Sequence, residues 1–257
     1  MAHVSPSDVT AAQGAPAPAP RVTRADAALP LADRAWIFFE THRREVYIGA
    51  GVLLGLIVLL GAFLLWRNAQ ANEAQAKLAA TMTILDEAST AQGPAARQAY
   101  ERALRDEGPR AGLLSIAGDY GSTQAGNLAR FYAASALFQL GRNDEAQRYF
   151  DAFDGDGYLG AAATAGEAAI LENKNQHADA AAKYADAADE ADSDLYTPGY
   201  LLSAARAHLA AGNAIAAEAA LNRIRDDHAE SAEAQDVAFY LGQLDAKRGA
   251  PTAAPAR

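Results

Sequence analysis

An all-α fold is predicted for this chain, with one hydrophobic helix that crosses a membrane followed by a soluble stack of helical hairpins. Three observations lead to it. Apolar residues fill 51% of the 257 positions and aromatic ones only 8%, with alanine, the best helix former, dominant. A run of 21 residues from Val46 to Trp66 carries no charge. Beyond it, small and large apolar residues recur at spacings of 34 and then 37 residues. Valine, isoleucine and threonine, which favour strands, are sparse outside one short stretch.

The chain opens with an alanine- and proline-rich tail over residues 1–32, including Ala15-Pro16-Ala17-Pro18-Ala19-Pro20. Each proline removes a backbone donor and fixes φ, so this tail is expected to be extended and disordered, like the matching stretch at 249–257. Residues 33–45 read as an interfacial lead-in: Asp33 is the expected N-cap, and Trp36, Phe38 and Phe39 precede the cluster His42, Arg43 and Arg44.

Residues 46–66 span roughly 30 Å as a helix, the thickness of a bilayer's hydrocarbon core. Tyr47 and Trp66 lie at its two ends, where amphipathic rings favour the headgroup level, and Arg67 follows. Soluble cores rarely hold so long an uncharged run. A cleaved signal is the rival reading, since Ala69-Gln70-Ala71 offers a small-x-small site. The long preceding segment and the length of the apolar run favour a retained anchor. Arg34, Arg43 and Arg44 on the amino side outweigh Arg67 and Lys77 on the other. That bias predicts a cytoplasmic amino terminus and an exported carboxyl-terminal domain. Gly51-x-x-x-Gly55 has the spacing of close-packing membrane helices, so a homo-oligomer through that face is a second expectation.

The repeat domain is assigned to residues 72–248. Ala146, Phe150 and Phe153 align with Ala180, Tyr184 and Ala187, and then with Ala217, Leu221 and Ile224. An earlier copy is Ala96, Tyr100 and Ala103. Twelve positions before the three later anchors stand Ala134, Ala168 and Ala205, and three beyond those stand Leu137, Leu171 and His208. Turns follow at Gly141-Arg142-Asn143, Lys174-Asn175-Gln176 and Gly212-Asn213-Ala214, where glycine and asparagine tolerate the left-handed backbone that ends a helix. Residues 107–126 read as an irregular glycine-rich insertion. Residues 231–247 read as a last single helix whose Val237, Phe239, Tyr240 and Leu244 are available to cover the final hairpin.

On these residues the chain resembles the tetratricopeptide repeat family, in which small residues mark helix crossings and a glycine precedes the second helix. Alanine at a crossing lets two helices pack within about 8–10 Å. The likeness is good over 127–226 and weaker over 72–106, and His208 stands where that family carries a bulky aromatic. With the short tail and single span, the whole resembles the bacterial YfgM-like family, which includes the ancillary subunit of the SecYEG translocon. The stretches Gly126-Asn127-Leu128-Ala129-Arg130-Phe131-Tyr132 and Leu195-Tyr196-Thr197-Pro198-Gly199-Tyr200-Leu201-Leu202 look like segments of those anchored proteins. The resemblance implies a role among exported proteins at an inner membrane.

No nucleophile elbow, P-loop or zinc-binding His pair occurs, and the five histidines have no metal-ligand spacing. Gly155-Asp156-Gly157-Tyr158-Leu159-Gly160 matches a dinucleotide pattern, but a helix rather than a strand is expected before it, so it reads as a turn between repeats. Asp151, Asp154 and Asp156 miss the spacing of a calcium loop. No cofactor, metal, small-molecule substrate or enzymatic activity is expected. Residues 67–257 hold 17 Lys/Arg against 27 Asp/Glu, which carries the whole net charge of −10 and argues against nucleic acid. No cysteine is present, so disulfides and thiolate metal sites are excluded.

What remains is a protein–protein interaction scaffold whose first helices line a groove for a membrane or exported protein. Phe131, Phe138, Leu202 and Arg206 are the residues expected to point into it. The alternative is a self-assembling membrane subunit without a peptide-binding groove.

Overall fold

The structure is a computed structural model that describes Trp36, Phe39, Glu40 and residues 42–249. The expected tail at 1–32, residues 250–257 of the tail expected at 249–257, the Asp33 cap and Phe38 lie outside these described residues. Contacts divide the chain into two compact units, Met1–Phe63 and Leu64–Arg257. Among the described residues there are ten helices and no strand, only an isolated bridge between Glu107 and Arg110.

Helix α1 covers Arg43–Thr90, well past the boundary that the uncharged run suggests at Trp66. The reason lies in the sequence: from Ala62 to Gln92 there is neither glycine nor proline, and the stretch is rich in alanine, glutamate, glutamine and leucine. Gly93, at φ 60°, and Pro94 end this run and open α2, Pro94–Leu104. Helix α3 covers Leu113–Asp119, inside the segment read as irregular. Its buried Leu113, Ile116 and Ala117 have helical spacing, but the glycines at 108, 112, 118 and 121 obscure so short a pattern.

Three hairpins follow. Helices α4 (Gln124–Gln139) and α5 (Asn143–Asp151), α6 (Gly157–Asn173) and α7 (His177–Ala191), and α8 (Thr197–Ala210) and α9 (Ala214–Asp227) each pack as a pair. Helix α10, Ala234–Gly249, packs on α9 and takes in Gly249, which the sequence assigned to the tail. Contacts also join α5 to α6, α7 to α8, and α4 to α6.

All three hairpin turns have the same chemistry. In the first, the N–H of Gly141 donates to the Phe138 carbonyl at 2.8 Å and the N–H of Arg142 to the Leu137 carbonyl at 2.9 Å. In the second, Asn175 and Gln176 donate to Glu172 and Leu171, and in the third, Gly212 and Asn213 donate to Leu209 and His208. This double bond satisfies carbonyls that a helix end would otherwise leave unpaired, and it needs one residue at positive φ. Gly141 (77°), Asn175 (58°) and Gly212 (76°) supply it.

The core follows the repeat. Ala134, Ala146, Ala168, Ala180, Ala205 and Ala217 are all fully buried, so each hairpin brings one alanine from each helix into the contact. The buried residues form three clusters that succeed one another along the chain: the first draws on α1 to α6, the second on α6 to α8, the third on α7 to α10. Phe150 lies against Gly166 of the next hairpin, which has no Cβ to obstruct the ring. On α10, Val237 and Leu244 are buried as expected and Tyr240 is partly so, while Phe239 is 63% exposed.

The end of α1 joins this core through Ala74, Leu78, Thr81, Ile84 and Ala88, spaced by three and four residues on one face. Polar contacts fix its register. The buried Thr81 hydroxyl donates to the Ala111 carbonyl at 2.7 Å. Lys77 Nζ donates to the Tyr120 hydroxyl at 2.6 Å, and that hydroxyl donates to Glu73 at 2.7 Å.

Candidate interaction surfaces

One helix, α1, is long and apolar enough to cross a membrane by length and composition. None of its most apolar 18-residue window is buried against protein, which is the opposite of a core helix. Leu53, Leu54, Ile57, Leu60 and Phe63 present their side chains outward, and a Cβ placed at Gly51 or Gly55 would meet nothing within 4 Å. Burying such a surface in hydrocarbon is favourable by about 25 cal/mol per Å2.

The four residues expected in a groove divide between environments. Phe131 is half-buried, its ring 5.5 Å from Tyr132, 6.1 Å from Phe150 and 5.5 Å from Phe153. Phe138, two turns further along α4, packs with it against the first core cluster. Leu202 is half-buried against the third cluster, and Arg206 is exposed on α8. Phe131 and Phe138 are thus brought together, and Leu202 belongs to a different part of the core.

A feature the sequence reading did not single out is a group of tyrosines. Tyr158 opens α6 and Tyr196 caps α8; their rings stack at 5.1 Å between centroids with 25° between planes. Both are exposed, at 52% and 39%. Tyr132 on α4 and Tyr200 on α8 lie within electrostatic reach of Tyr158, and burial pushes both phenols above the ordinary value. The charged groups that act on them are Asp86 on Tyr132 and Glu190 on Tyr200. The Glu190 carboxylate accepts from the Thr164 hydroxyl at 3.1 Å and lies over Gly160, two residues beyond Tyr158. The only sequence signal was a spacing of 38 residues between Tyr158 and Tyr196, close to one repeat. Tyr158 sits inside the glycine pattern read as a turn; helix α5 precedes that pattern, and Asp156 caps α6.

A cavity of about 630 Å3 lies at the α9–α10 connection and is lined by Asp194, Asp227, Glu230 and Glu233 around His228. His228 Nδ1 is 3.2 Å from Asp194. Among the described residues no group of three or more His, Asp or Glu is arranged to hold a metal ion. His208, half-buried on α8, has its proton affinity lowered by burial, and its carbonyl closes the third turn.

Compared with protein-family models, curated proteins and solved structures, the chain finds no match.

Proposed function

We propose that this chain is a membrane-anchored protein–protein interaction scaffold. Residues 46–66 hold it in a bacterial inner membrane, with its amino terminus cytoplasmic and its hairpins, stacked as a tetratricopeptide-like solenoid, on the exported side. The observation that carries this reading is the pairing of an unburied apolar helix with three hairpins that share one turn chemistry and one set of buried alanines. Contact of α4 with α6 beyond the hairpin pairs supports a stack whose first helices adjoin, the arrangement that creates a groove. The setting implied by the YfgM-like resemblance is assistance to secretion or to assembly of envelope proteins.

The anchor contributes by concentration: a tethered module meets membrane-bound partners at an effective concentration far above its average, so modest affinity suffices. Crosslinking in intact membranes, read by mass spectrometry, tests this with the full chain and with a form lacking residues 46–66. Partners captured by the full chain and largely lost without the span support the reading. Equal capture by both forms would remove the role of the tether. The second reading, a self-assembling subunit, draws on the open glycines at 51 and 55. It requires self-crosslinks that a Gly51→Leu, Gly55→Leu chain loses.

A further inference from the structure

We propose that the face formed by the stacked Tyr158 and Tyr196, with Tyr200 one turn further along α8, docks an extended protein segment through a lysine or arginine side chain. This rests on the scaffold reading and names the chemistry of the partner that the scaffold accepts.

Three features converge on that chemistry. The stacked rings come from the start of α6 and the cap of α8, so the face is assembled by two successive hairpins and does not exist in either alone. Tyr158 and Tyr196 are exposed yet stacked, which presents two π surfaces in a fixed geometry at little entropic cost. Among the described residues, neither hydroxyl of the stacked pair has a hydrogen-bond partner, so packing alone holds the two rings together. Tyrosine is among the residues on which binding energy concentrates in interfaces.

Charge then decides what the face accepts. The Glu190 carboxylate lies over Gly160, two residues from Tyr158, where it accepts from the Thr164 hydroxyl at 3.1 Å. A cation above these rings gains from their quadrupoles and from Glu190 together. An anionic segment meets repulsion from the same carboxylate and from an acidic domain.

Three short labelled peptides are the probes, alternating alanine with lysine, with glutamine or with glutamate. Each is titrated against the full chain in a non-ionic detergent and followed by fluorescence anisotropy. The lysine peptide is expected to bind about tenfold more tightly than the glutamine peptide, and the glutamate peptide more weakly still. Changing Tyr158→Ala and Tyr196→Ala together should cost about tenfold, whereas Tyr158→Phe with Tyr196→Phe should stay within about twofold. Neither pair alters net charge, so general attraction to an acidic domain cannot produce that contrast. Glu190→Gln should cost about threefold, with the difference vanishing at high salt. Both rings are exposed, so helix content should be unchanged, as circular dichroism will verify. Equal binding of the lysine and glutamine peptides overturns the proposal, as does an unchanged affinity in the alanine pair, or no binding of any peptide. The anchor-dependent crosslinks test the scaffold reading independently: if they persist while the lysine preference is absent, only the tyrosine assignment falls.

Discussion

Phe150 and Gly166 give the sharpest test of how the hairpins stack. The Phe150 ring is only 4% exposed, and a Cβ added at Gly166 would lie 2.7 Å from its Cε2, nearer still to Cζ. The ring is rigid and enclosed, so it has no free rotamer to escape into. Gly166→Ala should therefore cost about 1 to 3 kcal/mol from overpacking, partly offset by about 0.5 to 1 kcal/mol of helix propensity. Phe150→Ala should cost about 3 to 5 kcal/mol through lost burial and the cavity left behind. With the ring gone, the new methyl enters that cavity, and Gly166→Ala should become neutral or stabilising. The two substitutions should therefore couple by about 1 to 3 kcal/mol. Urea unfolding of a chain beginning at Arg67, followed by far-UV circular dichroism for both single variants and the double, measures this. If Gly166→Ala costs the same in both backgrounds within about 0.5 kcal/mol, the ring does not sit on that glycine and the stacking is wrong.

The remaining expectations concern the crossings, the turns and the end of α1. Ala134→Leu forces three extra carbons into a fully buried crossing and should cost about 1 to 3 kcal/mol, against about 0.5 kcal/mol or less for Ala182→Leu on the exposed face of α7. Gly141→Ala places a Cβ at φ 77° and should cost about 1 to 2 kcal/mol, while Asn175→Gly should be neutral or slightly stabilising; both are read by urea midpoint. Hydrogen bonds from Lys77, then Tyr120, hold the Glu73 carboxyl below its ordinary 4.5. Its contribution is complete above that value and fades as pH falls through the lower folded one. Tyr120, then Glu73, raise Lys77, whose contribution is complete below the ordinary lysine value of 10.5 and fades only at higher pH. The stability gap between the wild type and Glu73→Gln should therefore narrow as pH falls from neutral through 4.5 and below, and a constant gap would contradict the contact.

What was legible in the sequence was whatever repeats. Alanine anchors 34 and 37 residues apart, followed by glycine or asparagine at the turns, mark positions where sterics admit few alternatives. The structure accordingly buries Ala134, Ala168 and Ala205 and gives Gly141, Asn175 and Gly212 the same left-handed role. Features without a period were harder to see. Helix α3 is seven residues long among four glycines, and the continuation of α1 to Thr90 was hidden by a change of composition at Arg67 that alters polarity without breaking the backbone. The tyrosine face was missed for a different reason. Tyr158 opens α6 and Tyr196 caps α8, so their rings meet only through the stack and no local pattern could join them. Phe131, expected to face a groove, is half-buried with Tyr132, Phe150 and Phe153 around its ring.

The central claim is a hairpin domain held at one face of a membrane by a single span, and the absence of cysteine makes it directly measurable. One cysteine is introduced by Gln235→Cys at an exposed position of α10, or alternatively by Ser5→Cys near the amino terminus. Each chain is treated with a membrane-impermeant maleimide before and after cell lysis. The account predicts a chain that sediments with membranes, labelled at position 235 in intact cells with a permeabilised outer membrane and at position 5 only after lysis. The reverse labelling, or recovery of the chain in the soluble fraction of gently broken cells, would contradict it.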